Sequence, residues 1–228
     1  MNINHLARRS SLAVSIQTAA LLGFFNSAIK RGFDVLASAL GLLVLSPFFL
    51  TIAFMIKRES PGPILYRGPR AGKNGRSFGI LKFRTMYERP ESYHGARITA
   101  RDDNRITPLG RWLRATKINE LPQLWNVLTG EMSLVGPRPE DPQIAATWPA
   151  NVRQEILSVL PGITSPASVL YHDEEGLLSA SDVMGTYLRN ILPDKLRLDR
   201  LYVRSHSFLA DLDPLFWTLA ILIPNMSK

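Results

Sequence analysis

Cysteine is absent from this sequence of 228 residues, which excludes disulfides and thiolate metal sites. Histidine is scarce, and its four occurrences show no spacing typical of metal ligands: His5, His94, His172 and His206. The chain also lacks an internal repeat, a nucleotide P-loop and a GxGxxG motif. Its length suits one domain, or one domain plus a membrane element.

Acidic residues are few in the middle of the chain. Between Lys57 and Lys117 there are 15 basic residues against five acidic ones, and the whole chain carries a net charge of +8. Such a block attracts polyanions, which include nucleic acid, acidic lipid headgroups and phosphorylated substrates; the alternative is a solubilising surface. The apolar segment directly before the block disfavours nucleic acid and fits a membrane surface or a phosphate ligand.

Residues 33–56 form a long hydrophobic run with basic residues at both flanks. The 22 consecutive uncharged residues after Asp34 make about 33 Å of helix, enough to cross a hydrocarbon core of about 30 Å. Ser46-Pro47 lies in the middle, where proline removes a backbone hydrogen bond, and both flanks prefer the cytoplasmic side. We therefore predict a re-entrant membrane helix over 30–58 that breaks at Ser46-Pro47 and returns to the same face. A spanning helix and a buried soluble helix are the alternatives.

Two further segments are predicted to lie on the membrane. Residues 10–29 are uncharged, which predicts an amphipathic helix, with a second span as the alternative. The segment PLFWTLAILIPN is too short to cross and carries Phe216-Trp217, which predicts an interfacial helix. The hydrophobic run over 33–56 is too long, and begins too far into the chain, for a cleavable signal peptide.

Two short β-prone runs, Ile64–Arg67 and Phe78–Phe83, are separated by GPRAGKNGRS, which predicts a hairpin with a basic tip. In the second run Lys82 and Arg84 flank the apolar Phe83. We interpret these two cations as substrate-binding candidates, against the alternative of an edge strand with solvated charges.

Two helices are predicted after the hairpin. Thr107-Pro108 is a good helix start for PLGRWLRATK, which carries Arg114. Apolar residues then recur at helical spacing until Gly130, and we predict Asn119 as the N-cap of this second helix, with Glu120 in its first turn. A helix start of this kind suits an anion.

Arg138 lies between two prolines in GEMSLVGPRP. Because proline fixes its own φ, we predict that the guanidinium is aimed before any ligand arrives and suits phosphate oxygens. The alternative is an exposed turn arginine.

Further along, LPGIT is a turn in which Thr164 offers a hydroxyl donor. Residues 185–204 predict an amphipathic helix interrupted at Pro193. Asp199 in that helix either pairs with an arginine or faces the site.

The chain resembles the monotopic phosphoglycosyl transferases of the bacterial sugar transferase family from about Lys30 to its C-terminus. The matching segments are KRGFDVLASALGLLVLSPFFL, ESPGPILYRGPRAGKNGRSFGILKFRTM, RITPLGRWLRATKINELPQLWNVLTGEMSLVGPRP, LPGIT and KLRLDRLYV. GEMSLVGPRP beside ELPQLWNV is the most specific of them.

The resemblance implies an α-rich α/β fold, with the re-entrant helix over 30–58 and a compact cytoplasmic catalytic domain over 59–228 that has a small β-hairpin and amphipathic interfacial helices. Residues 1–29 lie outside the resemblance and are predicted, from their own composition, to be an amphipathic or membrane-associated extension. It implies a location on the cytoplasmic face of the bacterial inner membrane, in contact with inner-leaflet phospholipids. The implied reaction transfers a phosphosugar from a UDP-linked diphosphate sugar to a polyprenyl phosphate, in a ping-pong mechanism that uses an Asp nucleophile and Mg²⁺. An oligomer is possible, and no nucleic acid is expected.

Site residues follow from the resemblance position by position. Glu120 matches a metal-associated Glu, Arg114 and Arg138 match arginines near the phosphates, and Lys82 and Asp199 match other residues of the site. The family's Asp nucleophile corresponds to Asn119, and an amide does not readily form an acyl phosphate.

Four explanations for Asn119 stand: a natural subgroup with altered chemistry, a pseudoenzyme, an engineered inactive form, or Glu120 as nucleophile. A second departure is PGITSPASVLYHDEEG, where many relatives carry a Gly-Trp-Ala-Gln-like continuation, and this departure bears on sugar specificity. The competing class of function is a catalytically silent membrane-bound protein that binds nucleotide sugars or acts as a scaffold.

Overall fold

The computed structural model describes residues 3–90, 92, 99, 103–178 and 182–226. Its first element is a single long helix, α1 (Ile3–Glu59). Residues 10–29, predicted as helical, belong to it. The side chains of 3–22 lie outside the described part, and with them most of those on which the amphipathic prediction for 10–29 depends.

The helical structure of α1 continues through Ser46 and Pro47. Proline cannot donate to the carbonyl of Leu43 four residues earlier. The hydroxyl of Ser46 donates to that carbonyl instead, at 2.8 Å, so the acceptor keeps a partner. The predicted re-entrant path, with its break at Ser46-Pro47 and its return to the same face, stays a prediction.

Residues 25–59 of α1 contain a stretch that is long and apolar enough to cross a membrane. Its mean hydropathy is 2.4, and 11% of it is buried. No other helix in the described part of the chain has such a stretch. Large apolar side chains of this stretch stand exposed at helical spacing, among them Leu36, Leu40, Leu43, Leu50 and Phe54.

Both ends of the hydrophobic stretch contact the same globular domain. At the first end the guanidinium of Arg31 donates to the carbonyls of Val127 and Leu128, at 2.7 and 3.0 Å. At the other end Ile52 and Ile56 are buried in a cluster with residues 83, 113 and 118.

The predicted hairpin is confirmed. Strands β1 (Leu65–Ala71) and β2 (Ser77–Phe83) pair antiparallel, and Tyr66 is the partner of Lys82. A turn over Lys73–Gly75 joins them.

Helix α2 (Pro108–Ala115) confirms the predicted start, because the Thr107 hydroxyl accepts from the amide of Gly110 at 2.9 Å. Helix α3 (Gln123–Thr129) ends as predicted at Gly130, whose φ of +87° favours glycine.

The prediction that Asn119 caps α3 is wrong. Asn119 lies inside a 3₁₀ turn (Ile118–Glu120) that precedes α3, and Pro122 is the residue directly before the helix. Backbone carbonyls take the amides that a cap would have satisfied: the amide of Leu121 donates to Ile118 and that of Leu124 to Leu121, each at 3.1 Å.

A second small sheet, which the sequence pattern did not predict, follows α3. Strands β3 (Ser133–Val135) and β4 (Gly162–Thr164) pair parallel, so that the GPRP loop leaves β3 beside the LPGIT turn. The amide of Gly162 donates to the carbonyl of Pro137 at 2.9 Å and ties the two loops together.

Helices make up most of the remaining chain, as the α-rich prediction expected. The short ones are α4 (Pro142–Ala146), α5 (Ala150–Ile156), α6 (Pro166–Leu170), α7 (Glu174–Leu177) and α8 (Val183–Thr186). A π-helical turn (Tyr187–Ile191) leads into α9 (Leu192–Ser205), with Pro193 in its first turn, which is the interruption that the sequence predicted. The last helix is α10 (Phe208–Met226).

Helix α10 presents an apolar face to the outside. Leu209, Leu212, Phe216 and Leu219 fall on one side of the helix and are exposed. Asp211 on the opposite side is buried and forms an ion pair with Lys30 of α1. This amphipathic pattern is typical of an interfacial helix.

Candidate functional site

A cavity of about 750 Å³ lies between the hairpin, the 3₁₀ turn, the GPRP loop and the helices after β4. This volume is within the range of small-molecule sites. Its wall is rich in basic side chains: Arg67, Arg70, Lys82, Arg84, Arg105, Arg114, Lys117, Arg138 and Lys195. The cavity therefore suits an anionic ligand.

Glu120 is the carboxylate around which the predicted site residues meet. Its Oε1 accepts from Nζ of Lys82 at 2.7 Å and from Nη2 of Arg138 at 2.6 Å. Its Oε2 accepts from Nη1 of Arg138 at 3.1 Å. The hairpin, the 3₁₀ turn and the GPRP loop each supply one member of this cluster, so the structure brings together three residues that the sequence identified separately.

Burial and charge act against each other in this cluster. Burial alone would raise the pKa of Glu120, but the charges of Arg138 and Lys82 outweigh it and hold the pKa well below its ordinary value. Burial lowers the pKa of Lys82 to about 8, although Glu120 opposes the shift. The charge of Glu120 raises the pKa of Arg138. Glu120 is thus an ionised carboxylate held by two cations.

Asn119 lies next to this cluster and lines the cavity, with 6% of its surface exposed. Its Oδ1 is buried and has no hydrogen-bond partner among the described residues. A buried polar oxygen without a partner is costly in a folded protein unless a ligand or water satisfies it. The amide oxygen is therefore a candidate ligand atom.

The other predicted arginines differ in their surroundings. Arg114, at the end of α2, lines the cavity. Arg84 also borders the cavity, but its guanidinium donates to the carbonyls of Ser60 and Pro61, at 2.8 and 2.6 Å. This contact fixes the segment that directly follows α1. Because these hydrogen bonds of the guanidinium go to backbone carbonyls, they do not support the predicted substrate role of Arg84.

Thr164 and Asp199 are not among the residues that line the cavity. The Thr164 hydroxyl pairs with that of Thr218 in α10 at 2.6 Å, so its position does not support a role in substrate binding. Asp199 is buried in α9, its Oδ1 has no hydrogen-bond partner in the described part of the chain, and burial raises its pKa to about 7.

The cavity residues that the sequence reasoning missed include Glu140, Glu174, Tyr187 and Lys195. Glu140 directly follows GPRP, which was the only local signal available. The others come from segments whose packing onto the GPRP loop no local pattern reveals.

A model of the bacterial sugar transferase family matches residues 25–225. The protein is therefore a member of the bacterial sugar transferase family.

Curated relatives carry names that describe sugar-phosphate transfer. The chain is 42% identical over 195 residues to an undecaprenyl-phosphate glucose phosphotransferase of Komagataeibacter xylinus. The matched region covers 83% of this chain and 35% of the relative. The chain is 37% identical over 199 residues to a UDP-N-acetylgalactosamine-undecaprenyl-phosphate N-acetylgalactosaminephosphotransferase of Aeromonas hydrophila, covering 86% of this chain and 44% of that protein.

A third relative is closer in length. It is a UDP-glucose:undecaprenyl-phosphate glucose-1-phosphate transferase of Caulobacter vibrioides, 39% identical over 198 residues that cover 85% of this chain and 69% of the relative. The chain spans less than half the length of the two relatives described before it.

Proposed function

We propose that the chain transfers a phosphosugar from a UDP-linked diphosphate sugar to a membrane polyprenyl phosphate and so initiates glycoconjugate or exopolysaccharide synthesis. The observation that carries the proposal is the cluster of Lys82, Glu120 and Arg138 on the wall of a cation-lined cavity. A diphosphate carries the charge that such a cavity attracts. The names of the relatives from three bacteria describe transfers of this kind.

In this reaction an attacking oxygen forms a bond to the sugar-bearing phosphorus. The bond from that phosphorus to the bridging oxygen breaks, and the nucleoside monophosphate leaves with the electron pair. The protein has to position the groups and stabilise the negative charge on the phosphoryl oxygens. Arg138 and Lys82 are suited to this because each can turn from Glu120 towards a phosphate oxygen.

Asn119 occupies the position at which the family resemblance places an Asp nucleophile. An amide does not readily form an acyl phosphate, so Asn119 acts in this proposal as a neutral ligand through its unpartnered Oδ1. Transfer is then slow or depends on Glu120, whose carboxylate stays ionised but would have to leave its two cations in order to attack phosphorus.

The residues present fit a Mg²⁺ ion shared with the substrate. The described residues contain no cluster of three metal-ligating side chains of the His, Cys, Asp or Glu type. Mg²⁺ needs few protein oxygens, because it usually keeps waters and binds through one or two carboxylates plus substrate phosphates. The carboxylate of Glu120 and Oδ1 of Asn119 would hold it. When bound, the ion would neutralise phosphate charge.

The proposed membrane arrangement is re-entrant, with the catalytic domain on the cytoplasmic face of the inner membrane and α10 at the lipid interface. Arg31 and Ile56, at opposite ends of the hydrophobic stretch, contact one domain, which is expected when both ends lie on the same face. Single cysteines at the exposed positions Ser27 and Arg58 test this, because the chain has no other cysteine. An impermeant reagent should label both from the cytoplasmic side; labelling from opposite sides would refute the arrangement.

The catalytic proposal is tested with the full chain in lipid nanodiscs, given a panel of UDP-sugars, polyprenyl phosphate and Mg²⁺. We expect UMP release and a lipid-linked phosphosugar. Asn119 favours one competing function, a silent protein that binds nucleotide sugars. That function predicts UDP-sugar binding without UMP release under any of these conditions.

A further inference from the structure

One wall of the cavity differs in charge from the rest. Glu140, Glu174, Tyr187 and Lys195 line it and contact one another. We call these four residues the acidic wall, because Lys195 is the single cation among them. The proposed phosphate contacts lie elsewhere, at Lys82 and Arg138.

Two members of the acidic wall are well buried, and the two carboxylates are partly buried. Tyr187 and Lys195 are 1% and 6% exposed. Nζ of Lys195 donates to Oε2 of Glu174 at 2.6 Å, and the hydroxyl of Tyr187 donates to Oε2 of Glu140. The charge of Lys195 is thereby matched by Glu174. The second oxygen of Glu174, Oε1, has no hydrogen-bond partner within the described part of the chain.

Arg138 belongs to the Glu120 cluster and lines the same cavity as the acidic wall. It is hydrogen-bonded to Glu120, and the charges of Glu174 and Glu140 also act on its guanidinium. A phosphate held by Arg138 is therefore next to the acidic wall. In a nucleotide diphosphate sugar, the group adjoining the outer phosphate is the hexose.

We propose that the acidic wall binds the hexose of the nucleotide sugar, with Glu174 accepting a hydrogen bond from a sugar hydroxyl, and that it selects neutral hexoses over uronic acids. This inference rests on the proposed function and names a specificity determinant within it. Sugar hydroxyls are donors, and a carboxylate held in place by a buried lysine is a strong acceptor for them.

Rejection of uronic acids follows from the same charges. A sugar carboxylate in this position would lie beside Glu140 and Glu174, and Lys195 is already paired with Glu174. Like charges that are brought together in a partly buried site discriminate strongly against the wrong ligand.

The test measures binding of UDP, of UDP-glucuronate and of the neutral UDP-hexose that the unmodified chain binds most tightly from a panel. The full chain in nanodiscs is compared with Glu174→Gln and with the control Glu155→Gln. Glu155 is a carboxylate paired with Arg200 and Arg204 that does not line the cavity.

We expect Glu174→Gln to lower the affinity for the neutral UDP-hexose about tenfold, which is the loss expected for one charge-assisted hydrogen bond. The affinity for UDP should not change. In the same variant, the preference for the neutral UDP-hexose over UDP-glucuronate should become smaller. Glu155→Gln should change neither the affinity for the UDP-hexose nor this preference.

Three results would overturn the inference while leaving the proposed function intact. The first is an equal loss of affinity for UDP and the UDP-hexose, which would mean that Glu174 acts only through the overall field of the cavity. The second is an unmodified chain that binds UDP as tightly as every UDP-hexose, and the third is a Glu174→Gln variant whose affinities do not change. If the unmodified chain binds neither UDP nor any UDP-sugar, the proposed function is contradicted, and this inference with it.

Discussion

Asp34 and Glu120 are carboxylates in two regions of the molecule, and their partners differ in kind. Asp34 is 3% exposed and accepts from the hydroxyl of Ser133 at 2.7 Å and from the amide of Leu134 at 3.0 Å. Within the part of the chain that the structure describes, the carboxylate of Glu120, in the cavity, accepts only from the side chains of Lys82 and Arg138. One carboxylate joins α1 to β3 through neutral donors, and the other holds two cations at a cavity.

This difference has a chemical consequence. A hydroxyl can turn and become an acceptor, whereas an ammonium or a guanidinium can only donate. The contact of Asp34 should therefore tolerate an amide, and that of Glu120 should not. The neutral contact is suited to fixing the membrane helix against the domain, and the charged cluster is suited to exchanging partners when a phosphate arrives.

The largest effect is expected for Glu120→Gln. The amide nitrogen that it introduces would face donors, and the charge that holds Lys82 and Arg138 would be lost. We expect UMP release to fall by at least about a hundredfold, as when a preorganised electrostatic group is removed. Glu155→Gln serves as the matched control. Turnover that survives Glu120→Gln would mean that Glu120 is only a structural carboxylate, like Asp34.

Arg138→Ala should weaken UDP-sugar binding by about 1.5–3 kcal/mol, or roughly 10- to 150-fold, because a charge-assisted phosphate contact is lost. Lys82→Ala should act in the same direction and more mildly. The measurement is calorimetric titration with the tightest UDP-sugar, accompanied by a thermal unfolding curve to show that the variant folds. If a folded Arg138→Ala variant binds the UDP-sugar with unchanged affinity, Arg138 is only a turn residue.

Asp34→Ala should lower the free energy of unfolding by about 1–3 kcal/mol, because the hydroxyl of Ser133 and the amide of Leu134 lose their buried acceptor. Asp34→Asn should lower the free energy of unfolding clearly less, because its Oδ1 can still accept from the amide of Leu134. The hydroxyl of Ser133 can turn and accept from the new amide nitrogen. Unfolding in detergent checks both variants. Equal losses for Ala and Asn would contradict the distinction between neutral and cationic partners.

Asn119→Asp should keep the fold, because the two side chains are nearly isosteric and the added charge faces a cation-rich cavity. We expect UMP release to rise about tenfold, which corresponds to about 1.4 kcal/mol of barrier. A phosphosugar adduct that hydroxylamine cleaves should also appear, as expected for an acyl phosphate. Glu120→Gln should abolish turnover in this background too. If Asn119→Asp is no faster while the unmodified chain turns over briskly, the nucleophile lies elsewhere.

The smallest effect concerns pH. Burial lowers the pKa of Lys82 to about 8, so its charge is lost as the pH rises through that value. We expect kcat/KM for the UDP-sugar to decline above about pH 8, because it reports groups of the free enzyme. Unfolding does not explain such a decline: between about pH 8 and 10.5 the unfolded chain binds more protons at this lysine, so the contribution of Lys82 to stability rises with pH. A flat profile from pH 7 to 9 would contradict this role, and Lys82→Arg should remove the decline.

Local hydrogen bonding explains which parts of the fold were predictable. Thr107 and Pro108 begin α2, and Gly130 ends α3, through contacts within a few residues of each position. The same local reasoning failed at Asn119, because the backbone had a competing 3₁₀ turn that satisfied its amides without a side-chain cap.

The sequence by itself determined the hydrophobic stretch, the hairpin, the start of α2 and the end of α3, and it identified Lys82, Glu120 and Arg138 as site residues. Only the tertiary structure decided that Lys82 and Arg138, which are 38 and 18 residues from Glu120 along the chain, meet on one carboxylate. It also decided that Lys195 and Glu174 face the same cavity. The physical reason is that periodicity and capping act over a few residues, whereas the partner of a buried charge is set by whichever distant segments pack against it.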